Sequence, residues 1–226
     1  MTYTWNFDVV SQSWDLLVLG LLNSTYLTAA SFVLGLPLGL GLALARLSRR
    51  KVPSGLAAVY IDFFRATPSL VLLYWFYFAL PRLLGVDLEP FTAALITLTL
   101  LSSAFVAEVF RAGISSLDRG QWDGARAVGM SYANTLRRII LPQAVKRMIP
   151  VFLERLIELF KTSTIASVIS FPELLYVAQD LAARSYRPLE VFSVVALMFM
   201  VTLIVLSQIS RLIELRLARS GETTTS

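Results

Sequence analysis

The chain has 226 residues, of which 56% are hydrophobic and 15% charged, and its formal net charge is +5. A soluble domain is about 45–50% apolar and about 25% charged, so this composition predicts an integral membrane protein. The absence of cysteine and histidine excludes disulfides, thiolate nucleophiles, histidine proton relays and the common zinc ligands. The basic residues lie between apolar runs, which argues against nucleic-acid binding.

Five apolar runs follow one another along the chain. Crossing a hydrocarbon core about 30 Å thick takes about 20 apolar residues in a helix. The runs are Leu16–Ala45, Tyr60–Leu80, Phe91–Phe110, about Met148–Ser170, and Leu189–Ile209. They predict an all-α integral membrane protein with five transmembrane helices in a domain of residues 16–215, between an N-terminal segment (1–15) and a tail (216–226).

The first run contains Gly35, Gly39 and Gly41. Small residues in a membrane helix let a second helix approach closely. We therefore expect these three glycines to form a helix–helix contact.

The basic residues between the runs predict the orientation. Cytoplasmic loops are enriched in lysine and arginine, and fourteen of the twenty basic residues follow the first, third and fifth runs, against three on the opposite side. The N-terminus is therefore predicted to be extracytoplasmic and the C-terminus cytoplasmic. Residues 46–55 and 111–147 then face the cytoplasm, whereas residues 81–90 and 171–188 face out.

A long connection, about residues 115–147, joins the third and fourth runs. It exceeds the usual length of a structureless loop, so we expect it to be folded. Good helix formers lie on both sides of Gly129, a residue that can take left-handed dihedral angles at a helix end. The pattern predicts two short helices. The first begins near Asp123, where a carboxylate favours the helix dipole, and the second is ended or kinked by Pro142.

The same connection carries a motif with a known family pattern. It reads Asp123-Gly124-Ala125, three residues, Gly129, nine residues, then Ile139-Ile140-Leu141-Pro142. This resembles the EAA loop in the permeases of bacterial binding-protein-dependent ATP-binding cassette (ABC) importers, whose pattern is EAA, three residues, G, nine residues and I-x-L-P. The spacing matches throughout, with Asp123 in place of glutamate and Gly124 in place of alanine. Residues 64–68 (FRATP), 104–113 (AFVAEVFRAG) and 161–165 (KTSTI) are similar to the polar amino acid subfamily.

The resemblance implies an ABC type I importer permease in the bacterial cytoplasmic (inner) membrane. In that family the permease pairs with a second copy or a related permease, the EAA loop docks on a cytoplasmic ABC ATPase dimer, and an extracytoplasmic binding protein delivers the amino acid. ATP and Mg are then bound by the partner ATPase and no cofactor by this chain, which contains no Gly-x-x-x-x-Gly-Lys-[Ser/Thr] phosphate loop. The resemblance assigns ATPase coupling to Asp123, Gly124, Ala125, Gly129, Ile139, Leu141 and Pro142.

The fourth run contains four charged residues, Glu154, Arg155, Glu158 and Lys161. A charge at membrane depth costs about 2.5–3.5 kcal/mol on insertion scales, so it needs a partner or a role. Glu154, Glu158, Lys161 and Thr162 share one helix face, where Glu158 and Lys161 are close enough to pair. Three interpretations stay open: a self-neutralising set that packs the bundle, a stripe lining the substrate path, and a dimer interface. Under the second, we expect Glu154 to meet the substrate.

Two further sites have a structural interpretation beside a functional one. Glu108 and Arg111 are three residues apart at the end of the third run and predict an ion pair, while the resemblance leaves a gating or loop-bracing role open. Thr67 and Pro68 predict a helix start, with Thr67 as the cap and Pro68 as the first helical residue. A role in gating is the functional alternative for these two residues.

Two rival functions compete with the importer permease. An ATP-independent secondary transporter or channel could use the same buried charges, although such carriers commonly contain internal repeats and the sequence shows none. A membrane-embedded enzyme acting on lipids is disfavoured by the lack of cysteine, histidine and clustered loop carboxylates. The identity of the amino acid stays open, because the stripe in the fourth run carries both signs of charge.

Overall fold

The computed structural model describes residues 3–222, without the side chains at positions 119, 132, 133, 136 and 217–222. Within that range the chain is helical and contains no β-strand. The α-helices are α1 (Asp8–Gln12), α2 (Trp14–Arg46), α3 (Lys51–Ala66), α4 (Ser69–Tyr74), α5 (Leu80–Leu84), α6 (Pro90–Ser115), α7 (Arg119–Ala127), α8 (Tyr132–Thr135), α9 (Leu141–Thr162), α10 (Leu174–Ser185) and α11 (Pro188–Glu222). Two π-helical segments (Trp75–Ala79 and Leu136–Ile140) and one 3₁₀ segment (Ser163–Ile169) connect or extend them.

Helices α2, α6 and α11 are long and apolar enough to cross a bilayer unbroken. They confirm the first, third and fifth predicted crossings, and α11 continues through the predicted tail to Glu222; residues 223–226 lie outside the described range. Counting each of two bent helix pairs as one span gives five spans in the described chain. Helix α6 lies at the centre, with 67% of its apolar 18-residue stretch buried, whereas α11 lies at the edge, with 22% of the corresponding stretch buried.

The second predicted crossing is not one helix. It is divided between α3 and the α4–α5 segment, whose axes differ by 105°. The break lies at Thr67 and Pro68, because the residue before a proline is driven out of the helical region, and the ψ of Thr67 is 132°. The prediction that Thr67 caps the following helix was wrong. Its hydroxyl donates backwards to the carbonyl of Phe63 at 2.7 Å, and helix α4 begins after Pro68 at Ser69.

The fourth predicted crossing, about Met148–Ser170, is followed by a bend of 46° into helix α10. Ser170 takes a left-handed φ of 62°, and the buried carboxylate of Glu173 caps helix α10 by accepting from the backbone N–H of Tyr176 at 2.8 Å. The hydroxyl of Ser24 on α2 donates to the same carboxylate at 3.1 Å and fixes the joint. Residues 171–188, predicted as an outward-facing connection, are therefore mostly helix α10, which packs against α2 and α11.

The packing of α2 against α6 depends on two of the three glycines. A Cβ atom on Gly39 would lie 2.5 Å from Val106 Cγ1 and 2.8 Å from the carbonyl oxygen of Ser103, and one on Gly35 would lie 2.9 Å from Ser102 Oγ. Close approach of α6 therefore requires glycine at both positions. The prediction was wrong for Gly41, which is exposed and has no such neighbour within 4 Å.

Candidate functional site

An open cavity of about 380 Å³ lies between α6 and α9. Three of the four residues predicted to face the substrate, namely Glu158, Lys161 and Thr162, line it. The rest of the lining is Leu101, Ser102, Phe105, Arg155 and Leu159. Glu154 is exposed one helical turn before Glu158 and is not among the lining residues of this cavity.

The charged residues of α9 pair differently from the prediction. Glu158 forms its ion pair with Arg155, three positions earlier, and the structure shows no ion pair between Glu158 and Lys161. Arg155 and Lys161 are each three positions from Glu158 and can each reach it along one helix face. Sequence spacing alone therefore could not predict which of the two bases pairs with Glu158. Within the described range, Glu154 and Lys161 have no ion-pair partner. The stripe is therefore only partly self-neutralising.

A second charged cluster joins α3 to α6. Glu108 accepts from Arg111 at 3.0 Å (Nε) and 2.9 Å (a terminal guanidinium nitrogen), which confirms the predicted pair. Arg65, from the last turn of α3, approaches the same carboxylate at 3.7 Å. Glu108 therefore ties the last turn of α3, just before the break in the second crossing, to the central helix α6.

Phe105 connects this cluster with the cavity. The guanidinium carbon of Arg65 lies 5.7 Å from the centre of its ring, and that of Arg155 lies 5.1 Å away, which is the range of cation–π contacts. Sequence reasoning gave Phe105 no role. The two arginines come from α3 and α9, and no local pattern shows that both helices reach this ring.

Within the predicted coupling loop, helix α7 ends in a sharp glycine turn. Gly129 has a φ of 76°, and its N–H donates to the carbonyl of Arg126 at 2.9 Å, while the N–H of Met130 donates to the carbonyl of Ala125 at 3.0 Å. This pair of bonds is the Schellman termination of a helix, with glycine in the left-handed position. The predicted break at Gly129 is confirmed.

The start of α7 and the role of Pro142 differ from the prediction. Helix α7 begins at Arg119 and is capped by Asp118, whose carboxylate accepts from the N–H of Gly120 at 2.8 Å. Asp123 therefore lies in the middle of the helix, exposed and 3.7 Å from Arg126. Pro142 does not end a helix, because the helical run continues from Tyr132 through the π-helical turn Leu136–Ile140 into α9, of which Pro142 is the second residue.

The loop is packed against the bundle on one side and open on the other. Ala125 and Ile140 are buried, whereas Ile139 is half-buried and Leu141 exposed. The guanidinium of Arg147 on α9 donates to the carbonyl of Ser116 at 2.9 Å. A shallow groove on the open side is lined by Gly120, Gln121, Gly124, Ala125, Val128 and Ile139.

Within the residues that the structure describes, three unbroken apolar helices and two bent helix pairs, with an open charged cavity between α6 and α9, define a multi-pass membrane protein. The chain matches the family of binding-protein-dependent transport system inner membrane components over residues 35–219, and it belongs to that family.

Relatives and solved structures agree with this assignment. The chain is 36% identical over 215 residues to the L-cystine transport system permease protein TcyB of Bacillus subtilis (strain 168), covering 94% of this chain and 92% of the relative. It is 33% identical over 203 residues to the glutamine transport system permease protein GlnP of Escherichia coli (strain K12), covering 89% and 93%. A crystal structure of an amino acid ABC transporter with histidines superposes with a TM-score of 0.91 at 34% identity, over 95% of this chain and 100% of that one. The chain therefore has the ABC type I permease fold.

Proposed function

We propose that this chain is the permease subunit of an amino acid importer, as its relatives are named. The strongest support is the TM-score of 0.91 to an amino acid ABC transporter at 34% identity. ATP and Mg are bound by a separate cytoplasmic ATPase dimer, which docks on the groove beside Gly124 and Val128, and an extracytoplasmic binding protein supplies the amino acid. A second permease copy, or a related permease, completes the transport complex.

The unpaired charges of α9 suit a polar amino acid. Glu154 and Lys161 are seven positions apart, which is about 10 Å along a helix. Arg155 and Glu158 lie between them and neutralise each other. Lys161 can therefore receive the carboxylate of the substrate in the cavity, and Glu154, one helical turn before Glu158 and outside the cavity lining, can receive a cationic side chain. Thr162 has its hydroxyl proton committed to the carbonyl of Glu158 at 2.9 Å, so it offers the substrate acceptor lone pairs only.

Replacing Glu154 with glutamine should leave assembly and basal ATP hydrolysis intact while reducing uptake of cationic amino acids. A hydrogen bond to a charged group contributes about 1.5–3 kcal/mol, so we expect a loss of about tenfold or more in apparent affinity. The measurement is ATP-driven uptake of labelled amino acids by proteoliposomes containing the complete complex.

Asp180→Asn is the matched control, because it removes a carboxylate whose ion pair lies on α10 outside the cavity. Unchanged kinetics and selectivity in a well-folded Glu154→Gln complex would remove Glu154 from the substrate path. Uptake that persists without the ATPase would instead favour an ATP-independent transporter.

The orientation follows from the distribution of basic residues, with the N-terminus outside and the C-terminus inside. The chain contains no cysteine, so single cysteines report their side of the membrane without background from this chain. In intact cells a membrane-impermeant thiol reagent should label Val86→Cys and leave Ser131→Cys unlabelled. Both native side chains are exposed, so burial does not confuse the comparison. Labelling of Ser131→Cys from outside would reverse the orientation.

A further inference from the structure

The N-terminal segment is tied to the first turn of the last helix. The carboxylate of Glu190, fully buried, accepts from the hydroxyl of Tyr3 and from the backbone N–H of Asn6 at 3.0 Å. Arg187 donates to the same carboxylate at 3.1 Å and to the carbonyl of Thr4 at 2.8 Å. We call this group of contacts the N-terminal clasp. Residues 3–6 are therefore held in one position, although they form no helix.

The clasp has an apolar extension in helix α1. Val10 is 5% exposed and packs in the same cluster as Leu17 and Val191. Val10 thus packs the inner side of the N-terminal segment into the hydrophobic core. This contact and the clasp together hold the opposite, outward-facing side in place.

That outer side carries aromatic rings. Tyr3, Trp5, Phe7 and Trp14 are 45–59% exposed. The rings are ordered against one another, with Trp5 stacked on Phe7 at 5.8 Å and edge-on to Tyr3 at 5.5 Å between ring centres. A fixed group of exposed rings this large marks an interaction surface.

The surface lies at the level where two spans begin. Helix α2 starts at Trp14 and helix α11 at Pro188, so the aromatic rings stand beside the N-terminal ends of both helices. The neighbouring face of α2 continues the surface with Leu19, Leu22 and Tyr26, which are 54–64% exposed. Tryptophan and tyrosine concentrate at the level of the lipid headgroups, because their rings are apolar and their N–H and O–H groups are polar.

We propose that residues 3–14 form an interfacial anchor, in which Trp5, Phe7 and Trp14 insert into the headgroup layer on the N-terminal side of the membrane. The clasp holds the rings at that depth. The exposed charge on the segment is the carboxylate of Asp8, with that of Asp15 directly after the segment, and Arg187 is engaged by Glu190. Binding therefore depends on aromatic insertion and does not require anionic lipids.

The test uses the full-length chain reconstituted into phosphatidylcholine bilayers. Three of its four tryptophans are replaced by phenylalanine, leaving Trp5 alone, and a parallel variant keeps only Trp122 on α7 as the control. Emission is measured with bromine atoms placed on the lipid chains either near the headgroup or near the chain end. We expect Trp5 to be quenched more strongly by the shallow bromines, and Trp122 to be quenched by neither. Adding phosphatidylglycerol should not change the quenching of Trp5.

A variant that keeps only Trp14 provides a second reporter and should show the same shallow quenching. Tyr3→Phe, which removes one clasp hydrogen bond and keeps the ring, should weaken the depth preference of Trp5 and spare that of Trp14. Quenching of Trp5 no stronger than that of Trp122 would overturn the proposal. If Trp5 were unquenched and became shielded only when the binding protein was added, the surface would be a protein-docking site.

Discussion

Gly39→Leu should remove most of the folded permease, whereas Gly41→Leu should leave its yield nearly unchanged. The first atom of any side chain at Gly39 would lie 2.8 Å from the backbone carbonyl of Ser103 and 2.5 Å from the stiff side chain of Val106. Overpacking a tight contact typically costs about 1–3 kcal/mol, and a clash with backbone cannot be relieved by turning a side chain. At Gly41 the same atom meets nothing within 4 Å.

The measurement is the amount of monodisperse permease after extraction in mild detergent, together with its thermal midpoint. The two variants differ by two positions on the same helix, so differences in insertion or in hydrophobicity cancel. Equal yields would show that the contact between α2 and α6 can open without loss, against the packing described for Gly39.

Gly129→Leu should uncouple transport from ATP hydrolysis while leaving the spans inserted. The φ of 76° at this residue costs an ordinary residue about 1–2 kcal/mol, enough to reduce the population of the present loop conformation by about tenfold. A Cβ at this position meets no atom of this chain within 4 Å, so the cost comes from the backbone. The expected result is normal membrane content with strongly reduced ATP-driven uptake.

Two controls separate backbone strain from lost contact. Asparagine tolerates left-handed dihedral angles, so Gly129→Asn should keep much of the uptake that Gly129→Leu loses. Gly55→Ala should keep it as well, since Gly55 is helical in α3 with open space around it and alanine is the better helix former by about 1 kcal/mol. Normal uptake with Gly129→Leu would mean that this loop does not transmit the motion of the ATPase.

The lengths of the apolar runs predicted the spans well, because a helix that crosses the hydrocarbon core needs about 20 apolar residues. It could not place the breaks. The segment Tyr60–Leu80 is apolar enough to cross, yet Pro68 divides it, and a 105° bend depends on how both halves pack against α6. Gly41 was misassigned for a related reason. The sequence shows that the helix contains several glycines, but which of them face a neighbouring helix depends on where that helix packs.

The loop was predicted more reliably than the cavity. The break at Gly129 follows from a local backbone preference, which a sequence displays directly, although the start of α7 at Arg119 was missed. The pairing in α9 depends on surroundings instead: Arg155 lies over Phe105 of α6, which brings its guanidinium within reach of Glu158. Predicting whether Arg155 or Lys161 pairs with Glu158 therefore required the position of helix α6.

The N-terminal clasp also constrains how the molecule is made. Tyr3 and Glu190 are separated by 187 positions in the chain, and synthesis proceeds from the N-terminus. Tyr3 therefore has no partner in the clasp until Glu190, in the first turn of α11, has been synthesised. A nascent chain stalled before Glu190 lacks the carboxylate that receives Tyr3, so the clasp stays open in every intermediate that ends before the first turn of α11.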